Sequence, residues 1–463
     1  KFHFIGIAGT GMGAVAGLLK AAGHEVRGSD EAVYPPMSDA LERMGIPVMC
    51  PFNGKNLEWG PDEVVVGNVC RRDHIEVLAA QAAGFPLTSF PAILGERILP
   101  GRKSVVVAGT HGKTTTTTLL AYLLWKTGRD PGWFIGGIPR DLPSACVTGG
   151  GEPFVLEGDE YDTAFFDKGS KFLHYRPFAV LLTGVEFDHA DIFPDMEAVA
   201  TAFSKLADLV PSGGVMLASA DNDIAVRLAR ARGGFTYGFG DEDADYRVEI
   251  RERTSSGWAF SLHGRRADGS VAYFCPLVGR HNLRNAAGAL AMCLELGVPA
   301  QELAAPLSVF GGVRRRQEEL ARGRDIIAVD DFGHHPTAIR VTLDALLQRY
   351  PGRRPVLVFE PRSATSRRAV FQHEYARVLS AAPRVLLAPA YDQSRIPENQ
   401  RLDVSRLRDD IAAAGSHATL HADFSALLQT LCAESAPGDL VIFFSSGAMG
   451  GIKQQFADFL TRT

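Results

Sequence analysis

The stretch Ser104-Val-Val-Val-Ala-Gly-Thr-His-Gly-Lys-Thr-Thr115 contains, in order, an apolar strand, a glycine turn and the start of a helix. Phosphate-binding loops need this order, because glycines let backbone N–H groups approach a phosphate and the helix N-terminus adds a positive dipole. Lys113 can reach the β- and γ-phosphates of a nucleotide, and the Thr114 hydroxyl can hold Mg²⁺. The generic spacing has a glycine where this chain has Val107, so the loop is a shortened variant. The alternative is a glycine turn between strand and helix with a surface lysine. Packing alone does not require Lys-Thr-Thr directly after His-Gly, which argues against it.

Length and composition predict a soluble protein of several domains. The 463 residues are 46% hydrophobic and 22% charged, which suggests roughly three domains of ~150 residues. A formal net charge of −5 without a basic block argues against a nucleic-acid partner. The six cysteines form no C-x-x-C pair, which is typical of reduced thiols in a cytosolic protein. We expect no transmembrane helix, membrane partner or secretory leader, because no apolar run reaches ~18 residues and the sequence opens inside a strand.

Strand-like runs alternate with helical patterns, which predicts βαβ units and mostly parallel sheets. Pro100–Arg102 and the charged, glycine-bounded stretch 311–324 resemble linkers, so we expect domains over 1–100, 101–313 and 314–463. Alternating polar and apolar residues from Tyr246 to Phe274 predict antiparallel hairpins at the edge of the central domain. The predicted strands are Phe2–Ile7, Glu63–Val66, Ser104–Ala108, Phe154–Leu156, Val180–Leu182, Asp325–Val329, Val356–Phe359, Val385–Leu387 and Leu440–Phe444.

A second glycine turn follows the first strand. Gly9, Gly11 and Ala14 fit G-x-G-x-x-G/A, and Asp30 lies 21 residues after Gly9, where dinucleotide folds place a ribose-binding acid. Alone, this pattern indicates an NAD enzyme, or a βα turn without a ligand. A dehydrogenase has no need of another phosphate loop about a hundred residues later. Two such turns in separate domains favour two nucleotides, one of them hydrolysed.

Acidic residues follow two further strands, at the sheet edge where open α/β folds bind ligands. Glu157 opens the cluster Glu157-Gly-Asp-Glu-Tyr-Asp162, and carboxylates there suit Mg²⁺. His189, between Asp188 and Asp191, can ligate a second Mg²⁺ or contact a phosphoryl group. The alternatives are a solvated acidic turn and a structural histidine.

Polar residues also open an alanine-rich helix, where His281, Asn282 and Asn285 can bind a base edge, fix the domain junction or simply cap the helix. The triplet Arg314-Arg-Arg316 can stabilise charge that develops in phosphoryl transfer.

Two further motifs end strands of the last domain. His334 and His335 lie on its ligand-facing edge, and a zinc site there is weakly supported because no cysteine or spaced carboxylate set completes it. Arg362, in Phe359-Glu-Pro-Arg-Ser363, can clamp a substrate carboxylate.

Together these motifs resemble the Mur ligase family, which builds peptidoglycan precursors, over essentially the whole chain. In that family Gly-Thr-His-Gly-Lys-Thr is the specific form of the phosphate loop. The resemblance implies an α/β fold of three domains: a Rossmann-like UDP-binding domain, a central P-loop ATPase-type domain with a mostly parallel sheet and an antiparallel edge, and a Rossmann-like C-terminal domain that binds the peptide substrate. It rests on 109–116, Glu157–Asp162, Glu186–Asp191, Gly279–Asn285 and Asp330–Thr337.

Two family members share this N-terminal glycine pattern. One adds L-alanine to UDP-N-acetylmuramate, and the other adds the recycled tripeptide L-alanyl-γ-D-glutamyl-meso-diaminopimelate. The segments that resemble the second are Val33–Met37, Glu160–Phe172, Glu360–Ser363 and Gly447–Lys453. The resemblance therefore implies an ATP-dependent, ADP-forming amide ligase of peptidoglycan recycling that works through an acyl phosphate, with the L-alanine ligase as the alternative.

Two rivals come from other classes, an NAD-dependent oxidoreductase and an inactive nucleotide-binding regulator. The complete set of Lys113, Thr114, Glu157 and His189 argues against the regulator. The ligase interpretation implies ATP and Mg²⁺ as cofactors and small-molecule substrates. It implies a bacterial cytoplasmic location and a monomer or weak homodimer, with neither nucleic acid nor membrane as partner.

The resemblance also assigns roles to individual residues, and it leaves one departure, Gly184, where the family usually carries Asn. The expected catalytic residues are Lys113, Glu157 and His189, and the expected metal ligands are Thr114, Glu157 and His189. The expected ATP-binding residues are Gly109, Thr110, His111, Gly112, Lys113, Thr114, Thr115, His281, Asn282, Asn285, Arg315, Arg316 and Asp331. The expected UDP-sugar contacts are Gly9, Thr10, Gly11, Met12, Gly13, Ser29, Asp30 and Asn68. The expected peptide contacts are His334, His335, Arg362 and Ser363.

Overall fold

The computed structural model describes residues 1–35, 37–240 and 243–462, which form three large sheets in succession along the chain. The predicted α/β architecture, with parallel sheets and antiparallel edges, is confirmed. Among the described helices, none is long and apolar enough to cross a membrane. Pro36, within the segment 33–37, lies outside the described residues.

The N-terminal sheet is doubly wound. Its strands are β1 (Phe2–Ile5), β2 (Val26–Ser29), β3 (Val48–Met49), β4 (Glu63–Val66) and β5 (Leu87–Thr88), and its helices are α1 (Thr10–Ala21), α2 (Met37–Arg43), α3 (Ile75–Ala82) and α4 (Phe90–Ile93), which continues as a π-helical turn, Leu94–Ile98. All five strands run parallel in the order β3-β2-β1-β4-β5. The order reverses beside β1, so the glycine turn after β1 lies at the switch point where such sheets bind ligands.

A buried polar network fastens this sheet to α3. The carboxylate of Glu76, fully buried, accepts hydrogen bonds from the Ser29 hydroxyl, the Asn53 backbone N–H (2.9 Å) and the Asn56 amide (2.7 Å). Burial opposes the charged form of Glu76. Its hydrogen bonds, including one with His3, outweigh burial and hold the pKa below its usual value.

Replacing Glu76 with Ala is expected to destabilise the N-terminal domain by about 2–4 kcal/mol, because several buried donors would lose their acceptor. The carboxylate's contribution is present above its unfolded pKa of about 4.3 and is lost as the pH falls through its lower folded pKa. Urea unfolding measures the loss, with Glu58→Ala, an exposed position of the same domain, as the control. Equal unfolding midpoints for the two variants would contradict the expectation.

The central region contains twelve strands and five helices. The strands are β6 (Lys103–Ala108), β7 (Gly132–Phe134), β8 (Cys146–Val147), β9 (Pro153–Gly158), β10 (Asp162–Ala164), β11 (Asp167–Ser170), β12 (Ala179–Leu182), β13 (Val215–Ser219), β14 (Phe235–Phe239), β15 (Tyr246–Thr254), β16 (Gly257–Gly264) and β17 (Ala267–Cys275). The helices are α5 (Lys113–Lys126), α6 (Met196–Asp208), α7 (Asp223–Arg230), α8 (Arg280–Glu295) and α9 (Ala300–Ser308).

Ten of these strands form one sheet in the order β17-β16-β15-β14-β13-β12-β6-β9-β7-β8, while β10 and β11 form a separate hairpin. In the order of the sheet, each pair of neighbouring strands from β15 through β14, β13, β12, β6 and β9 to β7 is parallel. Antiparallel pairing closes both edges, and β15-β16-β17 are the hairpins predicted from the alternating sequence. Because β6 lies between β9 and β12, the loops after these three strands meet at one place.

The C-terminal sheet is parallel except at one edge. Its strands are β18 (Glu318–Gly323), β19 (Ile326–Asp331), β20 (Arg354–Phe359), β21 (Arg384–Leu387), β22 (His417–Leu420) and β23 (Asp439–Phe444), and its helices are α10 (Pro336–Arg349), α11 (Gln372–Leu379), α12 (Val404–Ala413), α13 (Phe424–Glu434) and α14 (Ile452–Thr461). The order is β18-β19-β23-β20-β21-β22. Short 3₁₀ helices elsewhere in the chain cover Gly54–Leu57, Lys171–His174, Ala369–Phe371, Glu398–Gln400 and Met449–Gly451.

The linker prediction for 311–324 is wrong in its second half. Glu318–Gly323 is β18, antiparallel to β19. Leu320 and Ala321 pack against the core of the C-terminal sheet, and this burial outweighs the charged composition of the segment. The limits 1–100, 101–313 and 314–463 stay our proposal for the domains.

Candidate functional site

A cavity of about 1890 Å³ lies where the three regions meet. Thr10 and Gly11 line it from the N-terminal region, Lys113 and Glu157 from the central region, and His335 from the C-terminal region. The predicted phosphate loop and the predicted acidic turns therefore face one common space.

The phosphate loop has the geometry expected from its sequence. Gly112 caps α5 with φ +79°, and a Cβ there would lie 2.6 Å from Asn285 Oδ1, so only glycine fits. Lys113 Nζ donates to the carbonyl of Gly109 (2.6 Å) and to Glu160 Oε1 (3.0 Å). Burial lowers the pKa of Lys113, but the neighbouring carboxylates, Glu160 above all, outweigh burial and raise it. The lysine is therefore a charged group held over the loop.

Gly184, the departure from the family pattern, contacts this loop through its backbone. Its carbonyl accepts the Thr110 N–H at 2.8 Å, and its φ of +140° is a conformation that favours glycine. The Thr110 hydroxyl in turn donates to the carbonyl of Glu186 at 3.0 Å. Hydrogen bonds to the carbonyls of Gly184 and Glu186 thus join the phosphate loop to the turn after β12.

The structure brings Thr114 and Glu157 together, as predicted for a metal site. Thr114 Oγ1 donates to Glu157 Oε1 at 2.7 Å, and Glu157 Oε2 accepts the Gly136 N–H at 2.7 Å. Arg316 Nη2 lies 3.4 Å from the Thr114 hydroxyl. A hydroxyl beside a carboxylate at a phosphate loop is an oxygen donor set that fits Mg²⁺.

His189, the third predicted metal ligand, is held by Glu160. His189 Nε2 lies 2.9 Å from Glu160 Oε1, so this carboxylate joins His189 to Lys113. Burial lowers the pKa of His189, and the bond to Glu160 outweighs burial and raises it. The sequence places Glu160 in the acidic cluster but predicts no role for it. Neighbouring carboxylates in one turn do not show which of them faces the lysine.

The polar residues of α8 form one buried group at the loop. Asn285 Nδ2 donates to Asn282 Oδ1 (3.3 Å), and Asn282 Nδ2 donates to the carbonyl of Val278 (2.9 Å). His281 Nε2 lies 3.2 Å from Gln317 Nε2, and burial lowers the pKa of His281 to about 4. These groups line the cavity beside the phosphate loop, and their contact with the nucleotide base stays a prediction.

Asp331, predicted to contact ATP, is almost fully buried. Its carboxylate accepts the N–H groups of Gln317 (2.8 Å) and Gly333 (2.7 Å), and burial raises its pKa. Its contacts hold the loops at the end of β19, while it also borders the cavity.

The two arginines predicted to face ATP point to different partners. Arg316 approaches Thr114, whereas the Arg315 guanidinium donates to the carbonyls of Ser445 (2.8 Å) and Gly447 (2.9 Å). The Arg315 head group thus binds the C-terminal region, while Arg315 also borders the cavity. The left-handed backbone of Arg315, φ +60°, turns the successive side chains apart.

The predicted peptide residues divide in the same way. His334, His335 and Ser363 line the cavity. The Arg362 guanidinium lies 4.0 Å from the Tyr391 ring centroid and 3.3 Å from Glu360 Oε1. This arginine is therefore partnered by its own domain.

His335 meets two central residues, His111 and Glu186. The rings of His111 and His335 are 4.8 Å apart, and Glu186 Oε2 accepts from Thr337 Oγ1 at 2.9 Å. Burial and the neighbouring His111 lower the pKa of His335 to about 4, so it is neutral at pH 7. Although one ligand atom from each of His111, Glu186 and His335 lies within 4.8 Å of the others, His335 Nδ1 already accepts the Thr337 N–H at 3.2 Å. The trio joins the central and C-terminal regions.

The N-terminal glycine turn presents only part of the predicted set to the cavity. Met12 and Gly13 are buried in α1, which Gly9 caps. Asp30 Oδ2 accepts the Ala8 N–H of the turn at 2.9 Å, and Asn68 Nδ2 donates to Asp162 Oδ1 at 3.4 Å.

The prediction of a sugar-nucleotide contact by the Ser29 side chain does not match its position. Ser29 is fully buried, and its hydroxyl bonds His3 and Glu76 inside the domain.

Lys171 borders the cavity, although the sequence motifs did not predict it as a site residue. It forms an ion pair with Asp159 at 2.6 Å and lies over the rings of Phe90 and Tyr161. Only its membership of the segment 160–172 pointed to it.

Comparison with protein families finds three matches in succession. The Mur ligase family catalytic domain matches residues 1–99, the Mur ligase middle domain matches 107–293, and the Mur ligase glutamate ligase domain matches 315–447.

Individual relatives cover most or all of the chain. UDP-N-acetylmuramate–L-alanyl-γ-D-glutamyl-meso-2,6-diaminoheptandioate ligase of Escherichia coli K12 is 36% identical over 100% of this chain and 98% of its own. UDP-N-acetylmuramate–L-alanine ligase of Lactococcus lactis is 36% identical over 89% of this chain and 88% of its own. The crystal structure of a murein peptide ligase from Psychrobacter arcticus aligns with a TM-score of 0.74 and 32% identity, over 100% of this chain and 99% of that one.

Proposed function

This chain belongs to the Mur ligase family of ATP-dependent ligases, and we propose that it joins UDP-N-acetylmuramate to the tripeptide L-alanyl-γ-D-glutamyl-meso-diaminopimelate. The observation that carries the proposal is the single cavity that Lys113 and Glu157 share with the N-terminal turn at Thr10 and Gly11. Over the full length of the chain, sequence identity is higher to the peptide-adding ligases than to an L-alanine ligase, which supports this member.

In this proposal ATP lies on residues 109–115, with Lys113 against its phosphates. Thr114 and Glu157 would hold Mg²⁺, and His189 would take part at a second position. Bound there, the metal neutralises phosphate charge and stabilises the oxyanion of acyl transfer. Arg316, beside Thr114, is placed to add positive charge at the same point.

The proposed reaction has two steps. The lactyl carboxylate of UDP-N-acetylmuramate, bound at Gly9–Gly13, attacks the γ-phosphorus of ATP, and ADP leaves. The peptide's amine then attacks the acyl carbon, the nitrogen releases a proton to solvent, and inorganic phosphate departs as the amide forms. Lys113 holds the transferred phosphoryl group, and residues of the C-terminal region exclude water from the acyl phosphate.

We propose further that the protein acts on small molecules in the bacterial cytoplasm as a monomer or weak homodimer. Its nucleotide substrates support that location.

One assay separates the candidate reactions. Phosphate release is measured with ATP, Mg²⁺ and UDP-N-acetylmuramate plus either the tripeptide or L-alanine, with a control that lacks the sugar nucleotide. We expect release with the tripeptide. Release with L-alanine alone would assign the chain to the other member, and NADH binding without ATP turnover would favour the oxidoreductase.

A further inference from the structure

The turn that carries His189 has an unusual backbone. His189 adopts φ +55°, a left-handed conformation that costs a non-glycine residue about 1–2 kcal/mol and persists only where neighbours enforce it. Asp188 Oδ1 accepts the N–H of His189 at 2.7 Å and so supports this conformation from one side. Asp188 is buried, and the charge of the neighbouring His189 helps to hold its pKa well below the usual value against the effect of burial.

A side chain of the C-terminal region completes this turn. The Thr365 hydroxyl donates to the same Asp188 Oδ1 at 2.6 Å and accepts the Ala190 N–H at 3.4 Å. It therefore bridges the residues on either side of His189. Thr365 is 2% exposed, so the bridge is shielded from water.

The bridge continues to the phosphate loop through direct contacts. His189 Nε2 bonds Glu160, and Glu160 bonds Lys113, whose Nζ reaches the carbonyl of Gly109. A single hydroxyl on the C-terminal region is thus linked, through four side chains, to the loop proposed to hold ATP.

We propose that Thr365 is a positioning residue for phosphoryl transfer. With the C-terminal region in place, its hydroxyl fixes Asp188 and the left-handed His189, and His189 then sets Glu160 and Lys113 against the nucleotide. The inference rests on the proposed function, because it takes residues 109–115 as the ATP site. It assigns Thr365 no contact with a substrate.

Thr365→Val tests the proposal, because it removes the hydroxyl and keeps the side-chain shape. We expect kcat to fall about 10–100-fold, the cost of a small misplacement of reacting groups. The KM for the amine substrate and the melting temperature should stay near the values of the unaltered protein. Thr365→Ser, which keeps the hydroxyl, should restore kcat to within a few-fold.

Thr419→Val is the matched control, since Thr419 lies on β22, its hydroxyl bonds His421, and it does not line the cavity. Turnover is measured with whichever amine the unaltered protein uses, so an error in the peptide assignment remains distinguishable. A valine variant with unchanged kcat, or a serine variant as impaired as valine, would overturn the proposal. Should the valine variant fail to fold, Thr365→Ala is judged by the same criterion.

Discussion

Replacing Lys113 with Ala is expected to lower kcat for ATP-dependent ligation by at least about 10²–10³-fold, the usual cost of removing one preorganised charge from a transition state. The ammonium group is held over the phosphate loop by the carbonyl of Gly109 and by Glu160. Its removal leaves the developing phosphoryl charge without this partner. Coupled ADP release measures the loss.

Binding of UDP-N-acetylmuramate should stay within a few-fold of the unaltered protein, because the proposed sugar-nucleotide turn lies in another domain. Lys126→Ala is the matched control, since Lys126 is an exposed lysine at the far end of the same helix. Turnover retained by the Lys113 variant would remove the basis for placing ATP at this loop.

The sequence predicts those contacts of the site that are made by residues at the ends of neighbouring parallel strands. The carboxyl ends of parallel strands lie at one edge of a sheet, so the ends of β6 and β9 are expected at the same edge. Thr114 and Glu157 meet for that reason, and the sheet order confirms that β6 and β9 pair. Hydrophobic alternation likewise predicted the antiparallel edge at β15-β16-β17.

Contacts between domains could not be read from the sequence. Thr365 meets Asp188 across 177 residues, and Thr337 meets Glu186 across 151. No local pattern encodes which hydroxyl reaches which carboxylate, because that depends on how two separately folded sheets face each other.

Local ambiguity accounts for the remaining differences. Ser29 is polar, as a ligand contact would be, but Glu76, 47 residues later, lies in the same core. The Ser29 hydroxyl donates a hydrogen bond to the Glu76 carboxylate. Arg315 and Arg316 are chemically identical, and the sequence does not show that one reaches the carbonyls of Ser445 and Gly447 while the other approaches Thr114.

Replacing Glu157 with Gln is expected to raise the Mg²⁺ concentration for half-maximal activity by about 10–100-fold, the usual penalty for disturbing a metal's ligand set. The substitution keeps the shape of the side chain and one acceptor oxygen, which can serve Thr114 Oγ1 or the Gly136 N–H but not both. What it removes is the negative charge that a hard cation prefers.

Titrating Mg²⁺ at saturating ATP and substrates measures the shift, and higher Mg²⁺ should recover part of the lost kcat. Glu152→Gln is the control, because Glu152 precedes the same strand but pairs with Lys103 at the surface. An unchanged Mg²⁺ requirement in the Glu157 variant would move the metal away from the Thr114–Glu157 pair and leave His189 and Glu160 as the donors to test next.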